Sequence, residues 1–131
     1  MNIFDKIVVN KTLKRCLLPD SGSRILHQKH VTGQDTLISL LIHDVFGGEI
    51  LKTHSDKNWH FYNRIDGERI DFTGSETQKT VGKKGFDDIP TTPDETYGYI
   101  DQEDYSTFFM MFVRIFEETI GLEKYRTALI A

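Results

Sequence analysis

Cysteine is almost absent: the 131 residues contain one, Cys16. No intramolecular disulfide can form, and neither a small secreted disulfide scaffold nor a CxxC zinc module fits. A reducing, cytoplasmic setting is the expectation. Long apolar runs are missing too, since nothing approaches the ~18 residues a membrane span needs. The stretch from Met1 to Lys14 is amphipathic and has neither the apolar core nor the cleavage site of a secretory leader. Excess positive charge is also lacking: 16 Lys and Arg stand against 20 Asp and Glu, a net charge of −4. That balance does not indicate a nucleic-acid binder. The charge is uneven, at +4 over residues 1–33, −1 over 34–85 and −7 over 86–131. There is no internal repeat and no low-complexity tract. What is present, 38% hydrophobic and 27% charged residues over one domain's length, is ordinary for a globular chain. One domain over 1–131 is expected.

Residues 3–16 place Ile3, Ile7, Val8 and Leu13 near one helical stripe, with basic residues opposite, and predict a first helix. Pro19 to Gly22 breaks it. Residues 34–46 predict a second helix whose Leu37, Leu40, Leu41 and Val45 share a face that Ile38 and Ile42 widen. So much apolar surface on a short helix implies burial on most sides. Asp35 stands in its first turn as a helix cap, and Gly47-Gly48 ends it. Beyond the glycines the period becomes two. Glu49–Thr53, Asn58–Ile65 and Glu68–Thr73 read as strands.

Asp66-Gly67 is a strong signal for a two-residue hairpin turn, because that turn needs positive φ at both positions. The turn fixes a register in which Ile65 faces Glu68, Asn63 faces Ile70 and Tyr62 faces Asp71. Trp59, Phe61, Asn63, Ile65, Ile70 and Phe72 then form a core face. His60, Tyr62, Arg64, Arg69, Asp71 and Thr73 form the other. His60 and Asp71 become diagonal neighbours about 7–8 Å apart at Cα, within side-chain reach.

Residues 74–90 read as a loop. Thr92-Pro93-Asp94-Glu95 has the form of a capping box with proline at the first helical position. A longer helix, capped by Asp101, is expected to run to about Ile120, where Gly121 stops it before a short final helix. Tyr105, Phe108, Phe109, Phe112 and Phe116 recur on it at the spacing of a core-facing stripe. The element order predicts an α+β fold, a small antiparallel sheet packed by helices.

The sharpest chemical constellation is Gln34-Asp35 at a helix start, His60 and Asn63 on a strand, and Asp71 on its partner. Hydrolases that work through a nucleophile need a base beside it and a group that orients the base. In papain-like enzymes a thiolate stands at a helix N-terminus, where the dipole stabilises it. The layout here follows that plan, with an aspartate where the thiol would be. The bland alternative is a helix cap plus a His–Asp pair on a strand surface. His27-x-x-His30, His43 and His54 lack the thiols or HExxH spacing of a zinc site, so neither a metal nor any other cofactor is expected. The cluster Lys79, Lys83 and Lys84 reads as a solvated loop. Cys16, remote from the motifs, is not expected to be a nucleophile.

These residues resemble the small bacterial proteins of the YunG family. The resemblance rests on Gly33-Gln34, the apolar helix Leu37–Ile42, Asp44-x-Phe46-Gly47-Gly48, His60-x-x-Asn63-Arg64 and Asp71-x-Thr73, and spans residues ~20–105 in consistent order. It implies a Cys, His and Asp pattern like that of a papain-like hydrolase, with the family's cysteine falling at Asp35. A minimal papain-like domain without its nucleophile is the expectation, binding a protein or peptide through the remnant cleft. An active hydrolase using His60 and Asp71 with Asp35 is one alternative. A structural or inhibitor-type interaction protein is the other.

Overall fold

Where Gly47 and Gly48 take φ values of 85° and 81°, the chain leaves its most apolar helix and turns extended. The computed structural model describes residues 3–16, 34–55, 58–73 and 85–130, with side chains as far as residue 122. Its elements are α1 (Lys6–Cys16), α2 (Gln34–Phe46), β1 (Glu49–Ser55), β2 (Asn58–Ile65), β3 (Glu68–Ile70), β4 (Ile89–Thr91), the short α3 (Pro93–Thr96) with a 3-10 turn (Tyr97–Tyr99), and α4 (Gln102–Ile130). The class is α+β. The chain divides into two compact units, residues 32–101 and residues 3–31 with 102–131.

In the first unit the four strands form one antiparallel sheet in the order β3-β2-β1-β4. The β2–β3 register is the one the Asp66-Gly67 turn dictates: Ile65 faces Glu68, Arg64 faces Arg69 and Asn63 faces Ile70. Both turn residues have positive φ, 51° and 80°. Helix α2 packs on β2, β1 and α3. Thr36 to Ile42 is buried without interruption, as its apolar content requires. The buried amide of Asn63 ties helix to sheet: its Nδ2 donates to the carbonyl of Ser39 at 2.9 Å and of Glu49 at 3.4 Å.

Three expectations for this unit are corrected. Strand β3 stops at Ile70 rather than Thr73, because Asp71 bends back to accept the amide and hydroxyl of its own Thr73. The extended stretch Ile89–Thr91 pairs with β1, although residues 74–90 read as loop. Its central Pro90 fits only because β4 is an edge strand. The capping box does not form. Thr92 makes no side-chain cap bond, and the Glu95 carboxylate instead accepts from Lys52 at 2.6 Å and from the Thr91 hydroxyl.

The second unit is α1 packed on α4. Asp5 caps α1 by accepting the amides of Ile7 and Val8. The buried stripe is Val9, Thr12, Leu13 and Cys16, a helical i, i+3, i+4, i+7 set. Ile3 precedes the helix and Ile7 is exposed, so the expected stripe through them is displaced by about half a turn. On α4, Phe108, Phe112 and Phe116 are buried, while Met110 is exposed and Met111 is not. Gly121 does not stop the helix, which continues to Ile130. A lone glycine costs only about 1 kcal/mol relative to alanine inside a helix and does not break it. Arg15 of α1 bridges Glu118 at 2.9 Å and Thr119 at 3.2 Å on α4.

Two glycines of the first unit, Gly48 and Gly67, separate strain from close approach. A Cβ at Gly48 would stand 2.7 Å from the Arg64 carbonyl oxygen, whereas one at Gly67 would meet nothing within 4 Å. Both residues have positive φ. Gly67→Ala is expected to cost about 1 kcal/mol of unfolding free energy and Gly48→Ala about 2–4 kcal/mol, since backbone collision adds to the strain. Urea titrations of the two variants check this, and equal losses would contradict the close approach.

Candidate functional site

In a two-residue hairpin the doubly hydrogen-bonded pairs alternate along the ladder. Here they fall at Ile65/Glu68 and Asn63/Ile70, and the next would use the amide of Phe61. Because β3 ends early, that amide finds another acceptor: it donates to Oδ2 of Asp35 at 2.8 Å. Asp35 is the second residue of α2. Its carboxylate is thus directed across to β2, where the expectation was a cap on its own helix.

The same oxygen lies 3.0 Å from Nδ1 of His60, and Oδ2 of Asp71 lies 2.9 Å from Nε2. Both ring nitrogens therefore face a carboxylate. The imidazole and the Asp71 side chain are each only 9% exposed, that of Asp35 21%. Oδ1 of Asp71 is held in turn by the Thr73 amide at 2.9 Å and the Thr73 hydroxyl at 2.8 Å. Burial alone would push His60 toward its neutral form. The hydrogen bonds to Asp35 and Asp71, with their charges, outweigh it and raise the pKa from the ordinary 6.5 to about 9. Burial likewise works to raise Asp71, but the His60 imidazolium and the Thr73 donors hold its carboxyl below the usual range. At neutral pH the cluster is one cation between two anions.

Of the sequence-predicted site residues, the structure brings Asp35, His60 and Asp71 together. Gln34 is half-buried at the start of α2. Asn63 binds main-chain carbonyls of α2 and β1 instead of the imidazole. The hairpin face that carries His60 is not the open one expected, for Tyr62 there is 1% exposed. Its ring meets Phe86 at 4.9 Å, its hydroxyl donates to Asp88 at 2.7 Å and accepts from the Asp88 amide at 2.9 Å. Asp88 also receives a two-pronged contact from Arg69, whose guanidinium stacks on Phe86. Next to it, Asp87 accepts from Thr53 and from the amide of His54, and lies 3.0 Å from the His54 ring. The sequence reading missed this covering segment. The only local signal was two aspartates directly before Ile89-Pro90-Thr91.

Asp35, Ser39, Asn63, Asp71 and Thr73 share, with Phe61 and Phe72, the walls of a small, partly open depression. Among the described residues no three His, Cys, Asp or Glu side chains are grouped as a metal ion requires. His27, His30 and the lysines 79, 83 and 84 lie outside the described residues. His43 contacts the Gly48 carbonyl at 2.9 Å. Cys16 is fully buried, and burial pushes its thiol up to about 11 against the opposing pull of Arg15 and Arg114. Such a thiol is a poor nucleophile at neutral pH.

Fold and site together define a small α+β protein organised around a carboxylate–imidazole–carboxylate cluster at a helix start. The family described as YunG protein matches residues 7–112. The uncharacterized protein YunG of Bacillus subtilis (strain 168) is 34% identical over 115 residues, covering 85% of this chain and 97% of its own. The chain belongs to the YunG family. No solved structure matches it. No helix among the described residues is long and apolar enough to cross a membrane.

The cluster makes stability depend on pH with a defined sign. A pKa raised on folding contributes stability that is full below the unfolded value and lost as pH rises through the folded one. For His60 that window runs from 6.5 to about 9. Unfolding free energy is expected to fall across it by about 3 kcal/mol, and to fall again in acid as Asp71 is protonated. Urea midpoints of the wild type and of His60→Gln between pH 6 and 9, below the range in which the buried Cys16 thiol adds its own loss, check this. Most of the loss over that range should vanish in the variant, and a flat wild-type profile would contradict the clasp.

Proposed function

We propose that this protein is a catalytically silent relative of the papain-like cysteine hydrolases and acts by binding a protein or peptide at the depression beside Asp35, His60 and Asp71. The observation that carries the reading is the double engagement of His60. A general base needs one ring nitrogen with a free lone pair facing its substrate or nucleophile. Here both nitrogens donate to carboxylates 3.0 and 2.9 Å away, and the pKa of about 9 keeps both protonated at neutral pH. Asp35 stands where the family resemblance calls for cysteine. An ionised carboxylate beside an imidazolium is a weak nucleophile that also fixes its neighbour's charge. The helix start, the imidazole and the orienting Asp71 remain in a hydrolase-like arrangement while the reactive group is missing. A cytoplasmic location accords with the single buried thiol and belongs to the same proposal.

The double variant Asp35→Cys, Cys16→Ser tests the relic-site reading. It removes a fixed charge and puts a thiol where the helix dipole and His60 can ionise it. Its thiol is expected to titrate below the ~8.5 of a free cysteine and to react with iodoacetamide faster than Cys16 does in the wild type. A thiol titrating at or above ~8.5 would remove the papain-like analogy. Wild-type turnover of a peptide or ester substrate that is abolished by His60→Gln would overturn the catalytically silent reading.

A further inference from the structure

The polar walls of the depression are uneven. Asn63 is 2% exposed, and its Nδ2 is engaged by the carbonyls of Ser39 and Glu49. The residue lines the depression, and its Oδ1 accepts no hydrogen bond among the described residues. Asp35, which also lines it, uses only Oδ2, for the Phe61 amide and the His60 ring, which leaves Oδ1 as a second unused acceptor. Ser39, also on the wall, already donates its hydroxyl to the Thr36 carbonyl. A buried acceptor without a donor is unfavourable, so the site favours a ligand that brings N–H groups. Two carboxylates around one imidazolium leave a surplus of one negative charge. Phe61, Phe72, Ile38 and Ile70 supply apolar wall around the acceptors, which suits an alkyl stem.

We propose that the depression between α2 and the end of β3 binds a primary ammonium group of a partner, with Asn63 Oδ1 and Asp35 Oδ1 as its acceptors. The head carries three donors and one positive charge, which matches the unused acceptors and the surplus charge. A neutral amide or hydroxyl would satisfy an acceptor but leave that charge. A guanidinium is planar and presents its five donors in a rigid fork suited to a two-oxygen partner in one plane, whereas the two acceptors here are single oxygens on a helix and a strand. The inference rests on the reading of the depression as a partner-binding site and specifies what the partner presents, a lysine side chain or a chain N-terminus.

Titration of the full ¹⁵N-labelled chain at pH 7 and constant ionic strength tests it. The probes are Nα-acetyl-lysine methylamide for the side-chain ammonium, glycine methylamide for the terminal one, and Nα,Nε-diacetyl-lysine methylamide as the uncharged control. Saturable shifts are expected at the Phe61 and Thr73 amides and the Asn63 side-chain amide with at least one charged probe and not with the control. The tighter charged probe identifies the source. In Asp35→Asn the charged probe should bind roughly tenfold more weakly, since one unit of negative charge next to the ammonium is gone. Equal shifts with the control, no shifts with either charged probe, or undiminished binding to a folded Asp35→Asn protein would overturn the proposal. If that variant does not fold, the comparison with the acetylated control decides. Failure here leaves the catalytically silent reading standing, because that reading fails by turnover, which this titration does not measure.

Discussion

The clasp of His60 between Asp35 and Asp71 is the interaction from which the rest of the first unit follows. It links three elements that the backbone alone would leave loosely joined: the start of α2, the middle of β2 and the chain leaving β3. An imidazole in this position would be costly to charge without partners and wasteful of two polar atoms if left neutral. With a carboxylate on each nitrogen it becomes a buried ion whose charge is more than balanced. Removing one partner from such an arrangement leaves an uncompensated buried charge, which is why the pieces depend on one another. The early end of β3 belongs to the same event. Asp71 meets the imidazole where the chain leaves the ladder, and Asp35 takes the Phe61 amide that the ladder no longer serves.

In the function proposed above, the same clasp is what would separate this chain from a hydrolase in chemical terms. Catalysis by a histidine base depends on a tautomer in which one nitrogen is held by an orienting group while the other is open to the reaction. Here a second carboxylate, that of Asp35, stands on that side of the ring. It also shifts the proton equilibrium in the direction opposite to what a base needs near neutral pH. One residue, Asp35, thereby supplies the helix-to-sheet tie and, in the proposed function, is also the residue that silences the arrangement it completes.

Much of this was legible in the sequence wherever a local rule decides. The Asp66-Gly67 turn has one low-energy geometry, so register and the meeting of His60 with Asp71 could be read from it. Helix α2 and strand β2 match their expected bounds because an apolar run ended by paired glycines, followed by strict alternation, leaves no competing structure. Elsewhere long-range partners decide. β4 is three residues around a proline and exists only because β1 offers an edge. Nothing local says that Asp87 and Asp88 will bond Thr53, Tyr62 and Arg69, so the covering of the His60 face went unread. The first helix was misphased because Ile3 and Ile7 are apolar yet exposed, while Thr12, which is polar, is buried with its hydroxyl on the Val8 carbonyl. Glu95 had the spacing for a cap box, but Lys52 offers it a full charge.

The central claim is that both nitrogens of His60 carry protons at neutral pH because a carboxylate holds each. The most direct measurement is the ¹⁵N spectrum of the His60 ring, assigned against His60→Gln and followed with pH. Two protonated, hydrogen-bonded ring nitrogens at pH 7.5 and a titration midpoint near 9 are the predicted result. A neutral ring with a single protonated nitrogen at pH 7.5, titrating near the ordinary 6.5, would contradict it.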